Sequence, residues 1–301
     1  MEYDIIIVGA GTAGLSAAIY GLRAGKKVLV LEQNVCGGQI VAAEKVENYP
    51  GISEISGAQF AVQLYEQARK FGAEFVYGRV ERIEEESDKK RVIAGDREWL
   101  CKALILATGV KKRLLGVAKE KELTGKGVSY CATCDGAFFS KKDVMVVGGG
   151  NTALSDALFL SNYCKTVTLV HRRSSFRAEE TLVEKVKEKE NISLCLDSRV
   201  SELCGEQKLS AVVIENSRTG EKRTIDVEGI FVAIGQIPDS EAFADIVRLD
   251  KDGYIIASED CHTNTEGIFA AGDCRTKEVR QLTTAASDGA VAALAAVKWC
   301  R

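Results

Sequence analysis

Short apolar runs that close on glycine recur along the chain. Residues 5–8 lead into Gly9, residues 144–147 into Gly148, residues 104–107 into Thr108-Gly109, and residues 230–234 into Gly235. A further run, Ile268-Phe269-Ala270-Ala271, ends at Gly272-Asp273 and is followed by an Ala-rich segment with helical character from about residue 283 to 298. Continuous apolar runs of this length, bounded by turn residues, predict buried strands of a parallel sheet. Two of the runs begin an internal repeat. The first copy goes from Gly9-Ala10-Gly11-Thr12-Ala13-Gly14 through a helix to the strand Val28-Leu29-Val30-Leu31 and Glu32. The second goes from Gly148-Gly149-Gly150-Asn151-Thr152-Ala153 through a helix to Val167-Thr168-Leu169-Val170 and His171, and the spacing from first glycine to strand end is the same.

Strand, glycine loop, helix and strand in this order form the context of a dinucleotide fingerprint. The glycines let the backbone turn tightly and approach a pyrophosphate, which the unpaired N–H groups and dipole of the helix N-terminus favour. The expected fold is α/β, with two Rossmann-like, doubly wound nucleotide-binding domains. The strand at 268–271 and the last helix read as the end of the first domain returning after an insertion. One domain is therefore expected over residues 1–112 and 240–301, with residues 113–239 inserted and the connections near residues 111–116 and 236–239 acting as hinges.

The ends of the two repeats differ in charge. Glu32 can accept hydrogen bonds from a ribose hydroxyl, as the adenosine of FAD would offer. His171-Arg172-Arg173, with Arg177, puts cations where a 2′-phosphate would sit, so the second site is expected to prefer NADPH. A solvated basic loop is the alternative, and it suits the mixed charges at residues 81–91 and 184–190. The matched position at the end of the second strand favours phosphate.

Cys131-Ala132-Thr133-Cys134-Asp135 lies just upstream of the second glycine loop. A CxxC alone is also a zinc half-site, but zinc needs two further ligands, and the chain has no second CxxC and only two histidines, His171 and His262. Beside a nucleotide loop, two thiols at disulfide spacing imply electron transfer, and no metal is expected. CxxC thiols commonly have pKa values of about 7 or below, which supplies a nucleophilic thiolate at neutral pH.

Composition narrows the setting. A formal charge of -3 gives no basic face for nucleic acid or an anionic membrane. No run approaches the roughly 18 apolar residues of a membrane span, and the N-terminus lacks the basic flank of a signal peptide, so a cytoplasmic location is expected. The ten cysteines are scattered, and apart from the CxxC pair they are expected to be reduced.

With these motifs stand Gly37-Gly38-Gln39, Glu47-Asn48-Tyr49-Pro50-Gly51, the His-Arg-Arg-x-x-Phe-Arg run at 171–177, and Ala270-Ala271-Gly272-Asp273 followed by Arg280-Gln281. In this order and spacing the whole chain resembles the low-molecular-weight thioredoxin reductases, FAD- and NADPH-dependent homodimers. The resemblance implies that Gly9, Gly11, Gly14 and Glu32 hold the adenosine half of FAD, with Gln33 and Thr108 also binding the FAD. Gly37, Gly38, Gln39 and Asn48 would approach the flavin side, Asp273 its ribityl and pyrophosphate region, and Arg280 and Gln281 the flavin ring. Gly148, Gly150, Asn151, Thr152 and Gly235 would join His171, Arg172, Arg173 and Arg177 around NADPH. Cys134 would be the flavin-proximal thiol, Cys131 the interchange thiol and Asp135 the acid that handles protons. Lys126, Phe138 and Phe139 would dock a thioredoxin-like protein.

Thr12, Cys36 and Ser155-Asp156 depart from the family's usual residues, the last two where acids near the nicotinamide are common. The disulfide must meet flavin, partner protein and nicotinamide chemistry in turn, so the inserted domain is expected to rotate about its connections. A flavin dithiol oxidase or a ferredoxin-linked disulfide reductase on the same scaffold is the alternative reading.

Overall fold

The fold is a computed structural model describing residues 1–43 and 45–301. The chain divides into two units, Met1–Lys111 with Ile237–Arg301, and Lys112–Gln236. In sequence the second unit lies between the two segments of the first.

The first unit runs through β1 (Glu2–Val8), α1 (Thr12–Arg23), β2 (Val28–Glu32), α2 (Gly57–Lys70) and β3 (Glu74–Tyr77). It continues through β4 (Arg82–Glu86), β5 (Lys89–Ala94), β6 (Arg97–Leu106) and β7 (Val110–Lys112). The inserted unit contains α3 (Glu120–Leu123), β8 (Val128–Ser129), α4 (Ala132–Asp135), β9 (Asp143–Val147), α5 (Asn151–Ser161), β10 (Thr166–Val170) and α6 (Glu180–Glu188). After these come β11 (Ile192–Cys195), β12 (Ser198–Cys204), β13 (Ala211–Asn216), β14 (Lys222–Asp226) and β15 (Gly229–Val232). The chain then returns through β16 (Gln236–Pro238), which pairs with β7, to β17 (Ile268–Ala270) and α7 (Leu282–Trp299).

In the first unit the sheet order is β3-β2-β1-β6-β5-β4, with β17 also paired to β6. The strands β3, β2, β1, β6 and β17 are parallel, and β4 and β5 add an antiparallel edge. The run at residues 5–8 is apolar without alternation because both faces of the sheet are covered. Ile5 and Ile7 pack with the alanines of α1 and α7, while Ile6 and Val8 pack on the opposite side with Leu29, Phe243 and Ile255. The small residues of α7 let it lie directly on α1: a Cβ at Gly289 would stand 2.1 Å from the carbonyl oxygen of Ala13.

The second unit repeats the plan with a parallel sheet of order β11-β10-β9-β15-β8. Val144 and Val146 face α5 and α6, and Met145 and Val147 face the antiparallel sheet β12-β13-β14. In each unit the parallel strands deliver their C-terminal ends, and the glycine loop that follows β1 or β9, to one edge. Ligands of doubly wound sheets bind at such an edge.

Candidate active site

The first glycine loop is shaped by close backbone contact. Gly9 has φ +105°, and a Cβ there would lie 2.3 Å from the carbonyl oxygen of Ala107. Gly14 brings α1 onto the loop in the same way, 1.8 Å from the oxygen of Gly9. Gly11 differs, because a Cβ there would enter open space. It is the N-cap of α1 and provides no side-chain cap, so the first-turn N–H groups point to an approachable face. The Gly37-Gly38 turn lies against this loop, with the Gly37 N–H donating to Ala10 O at 2.7 Å. Glu32, 9% exposed, accepts from the N–H groups of Ala10 (2.7 Å) and Asn34 (2.8 Å) and so splints the loop to the end of β2.

The remaining residues expected at this site come from distant segments. Gln33 donates to Asp239 (2.7 Å), Gln39 to Val110 O (2.6 Å), and Asn48 to the side-chain oxygen of Gln281 (3.3 Å). The Arg280 guanidinium lies 4.3 Å from the centroid of the Tyr254 ring, and its Nε donates to Asp273 O. Thr108 Oγ1 and Asp273 Oδ1, beyond the ends of β6 and β17, are buried without a hydrogen-bond partner among the described residues. Burial pushes the Asp273 carboxyl above its ordinary value, while Lys277 and Arg280 oppose the rise. Buried acceptors without donors call for a ligand that brings hydroxyls, and uncapped N–H groups call for phosphate. A flavin dinucleotide supplies both, so these residues fit it.

A buried ion cluster that the sequence did not suggest supports the Asp273 turn. Asp288 on α7 accepts from Gly272 N (2.9 Å), Arg275 Nε (2.8 Å) and Nη2 (2.9 Å), and Lys277 Nζ (2.9 Å). Arg275 and Asp288 are 13 residues apart, and no local pattern links them.

In the second unit, Gly148 approaches Ala233 O, and Gly150, the N-cap of α5, again faces open space without a side-chain cap. His171 lies beneath the loop. A Cβ at Gly149 would stand 2.1 Å from its ring, which stacks on Phe176 with centroids 5.5 Å apart. Burial, reinforced by Arg177, Arg173 and Arg172, lowers its pKa, and the buried Nε2 has no partner among the described residues. His171 is therefore a neutral ring supporting the glycine loop, while the cationic character rests on the exposed Arg172, Arg173 and Arg177. Among the described residues none of these three guanidiniums forms an ion pair.

The arginine segment is held through its backbone. His171 N donates to Cys195 O, Ser198 N to His171 O, Asp197 N to Arg173 O and Arg177 N to Gly149 O. Asn151 is clamped to Glu179 by two hydrogen bonds, Thr152 and Ser155 are exposed, and Gly235 turns with φ +104°. Asp156, half-buried on α5, has its carboxyl pushed up by burial to about 7. Open glycine, uncapped helix and exposed guanidiniums together fit a nicotinamide dinucleotide.

Cys131 and Cys134 form a disulfide across the single turn of α4, with Cα atoms 5.3 Å apart. Cys131 is half-buried and Cys134 exposed. Ser129 Oγ, absent from the expected site, accepts from Cys131 N (3.1 Å) and donates to Asp135 Oδ2 (2.6 Å), which ties the carboxylate to the backbone of Cys131. Lys126 is exposed and Phe138 is 42% exposed, whereas the half-buried Phe139 packs edge-on against Phe231 at 5.3 Å. The other eight cysteines carry free thiols, including the half-buried Cys36 3.6 Å from Tyr77 Oη. No helix of the described residues is long and apolar enough to cross a membrane.

Residues 3–289 match the family described as Pyridine nucleotide-disulphide oxidoreductase. The chain is 41% identical over 298 residues to the thioredoxin reductase of Listeria innocua, covering 99% of this chain and 93% of that protein. It is 44% identical over 305 residues to the thioredoxin reductase of Peptoclostridium acidaminophilum, with 99% and 96% covered. The crystal structure of thioredoxin reductase from Streptococcus pyogenes is similar with a TM-score of 0.94 at 41% identity, over 99% of this chain and 98% of that one.

Proposed function

We propose, for a chain that belongs to the pyridine nucleotide-disulphide oxidoreductase family, that it is a thioredoxin reductase working from NADPH through FAD and the Cys131–Cys134 disulfide. The observation that carries this reading is the disulfide built into the same unit as a glycine loop flanked by three arginines that form no ion pair among the described residues. Bound flavin and nicotinamide supply the hydride and two-electron chemistry. The chain's own groups bind, orient and handle protons around it.

Gly11 and the uncapped turn of α1 would receive the FAD pyrophosphate, and Thr108 and Asp273 the hydroxyl donors of the same group. Arg172, Arg173 and Arg177 would hold the 2′-phosphate, so NADPH is preferred over NADH by about tenfold or more, each charge-assisted contact adding to discrimination. When two electrons reach the disulfide its S–S bond breaks and both sulfurs become thiol or thiolate. Asp135, aligned by Ser129, takes or returns a proton at the pair. The Cys131 thiolate then attacks the partner's disulfide, and Cys134 resolves the mixed disulfide, which regenerates the starting bond. Lys126 and the exposed ring of Phe138 are the docking contacts, and the partner is a thioredoxin-like protein. A cytoplasmic homodimer is the working form.

Anaerobic titration tests the reading. NADPH should bleach the flavin of the purified protein at concentrations well below those needed for NADH, and added thioredoxin should restore the oxidised spectrum. Cys131→Ser and Cys134→Ser should abolish thioredoxin reduction while leaving flavin bleaching intact. A flavin that NADPH cannot reduce would overturn the assignment, as would full thioredoxin turnover in either cysteine variant.

A further inference from the structure

Lys112 closes the strand by which the chain enters the second unit, and its ammonium lies 4.7 Å from the centroid of the Tyr130 ring. Tyr130 is the residue immediately before Cys131. The ring is fixed from its far end, where the phenol donates to Glu120 Oε1 at 2.7 Å. Glu120 is only 3% exposed, yet its carboxylate is satisfied: Oε1 also accepts from Leu115 N (2.7 Å), and Oε2 accepts from Gly116 N (2.9 Å). The Glu120 charge is thus occupied by neutral donors and leaves the lysine unpaired with it.

On the other side of Cys131, Asp135 reaches the cysteine backbone through Ser129. Burial lowers the proton affinity of Lys112, and Asp135 is the group whose charge opposes that change. Burial, helped by the hydrogen bond to Glu120, drives the Tyr130 phenol far above its ordinary range, so the ring stays neutral under the cation. A lysine cation and an aspartate carboxylate are thereby tied, each through one intermediate residue, to the same cysteine. An aromatic face holds a cation without neutralising it, so the charge persists over the ring one residue from Cys131 along the chain.

We propose that Lys112 is a positioning charge of the redox pair, held on the Tyr130 ring so that it favours the thiolate form of the reduced cysteines. The inference rests on the reading that Cys131 and Cys134 exchange with a partner disulfide, and it assigns what tunes that exchange. An opposite charge nearby stabilises the ionised thiol, whereas a neutral side chain at 112 removes that stabilisation. The titratable groups that meet the lysine are, among the described residues, Tyr130 and Asp135, with Glu120 behind the ring, and burial keeps the Tyr130 phenol neutral. Asp135 and Lys112 are left to act on the pair.

The test uses the flavin-loaded protein reduced anaerobically with dithiothreitol and treated with iodoacetamide from pH 5 to 9.5. Alkylation is read peptide by peptide by mass spectrometry because eight other cysteines carry free thiols. Lys112→Gln should raise the midpoint of Cys131 alkylation by about half to one pH unit and slow it about threefold to tenfold at pH 7. Lys112→Arg should restore the wild-type profile. Tyr130→Leu, which removes the ring but keeps the lysine, should reproduce most of the shift, whereas Tyr130→Phe should not. Superimposable profiles for the wild type and Lys112→Gln would overturn the role of the lysine while leaving disulfide exchange standing. A wild-type Cys131 that is inert across the whole range would overturn both.

Discussion

Replacing Asp288 by Ala removes the acid that ties α7 to the turn carrying Asp273. Arg275 is fully buried, the Lys277 side chain is 5% exposed, and both donate to Asp288. The truncation leaves two buried cations and the Gly272 N–H without their acceptor. Glu259, the other carboxylate near Arg275, has a side chain 90% exposed, and an exposed pair of that kind is worth at most about 1 kcal/mol. Breaking a buried pair by removing one partner costs about 3–5 kcal/mol, and that is the expected loss for Asp288→Ala at pH 7. Asp288→Asn keeps one acceptor oxygen and should lose less. The assay is urea denaturation of the apoprotein followed by circular dichroism, read on the transition of the first unit. The same variants should release FAD more readily, because the turn that presents Asp273 loses its anchor.

The pH dependence gives a second readout. Burial works to raise the Asp288 carboxyl, but hydrogen bonds from Arg275 and Lys277 outweigh it and hold the group below its ordinary value of 3.8. An acid with a depressed folded value stabilises the fold above its unfolded value, and that contribution is lost as the pH falls through the folded value. The gap between wild type and Asp288→Asn should therefore be steady near neutrality and close below about pH 4. A loss under about 1 kcal/mol for Asp288→Ala at pH 7, against the roughly 3–5 expected, would refute the reasoning.

Other outcomes follow from single contacts. Gly149→Ala drives a methyl group into the His171 ring and should destabilise the second unit by about 1–3 kcal/mol and weaken nicotinamide nucleotide binding. The double variant with His171→Ala should recover part of both losses in denaturation and binding titrations. Gly289→Ala pushes α7 away from Ala13 O and should cost about 1–3 kcal/mol in spite of the better helix propensity of alanine, measured as a lower urea midpoint. Asp156 has a raised folded pKa, so its contribution is most favourable below its unfolded value of 3.8 and is lost as the pH rises toward about 7. Asp156→Asn should accordingly gain about 1–2 kcal/mol relative to wild type between pH 4 and 8. A melting-temperature difference that stays constant across that interval would count against it.

Much of the architecture is legible in local sequence because it depends on local chemistry. Runs such as Ile5-Ile6-Ile7-Val8 are apolar at every position since both sheet faces are covered, and a glycine such as Gly9 is required where the loop presses on Ala107. The CxxC pair is equally local, because three residues of chain are enough to bring its sulfurs together. What the sequence left undecided are properties that arise between segments. His171 reads as a cation in a basic run, but the fold buries it under Gly149 and leaves the charge to the arginines around it. Phe138 and Phe139 are adjacent and alike, and only packing against Phe231 separates the exposed ring from the half-buried one. Ser129 becomes part of the redox centre by lying between Cys131 N and Asp135, and Lys112 by crossing the face of Tyr130. The sequence by itself determined the two glycine-loop repeats and the disulfide between them. The tertiary structure decided which side chains are charged, buried or paired around them, because burial and electrostatic coupling depend on distances in space that chain spacing does not encode.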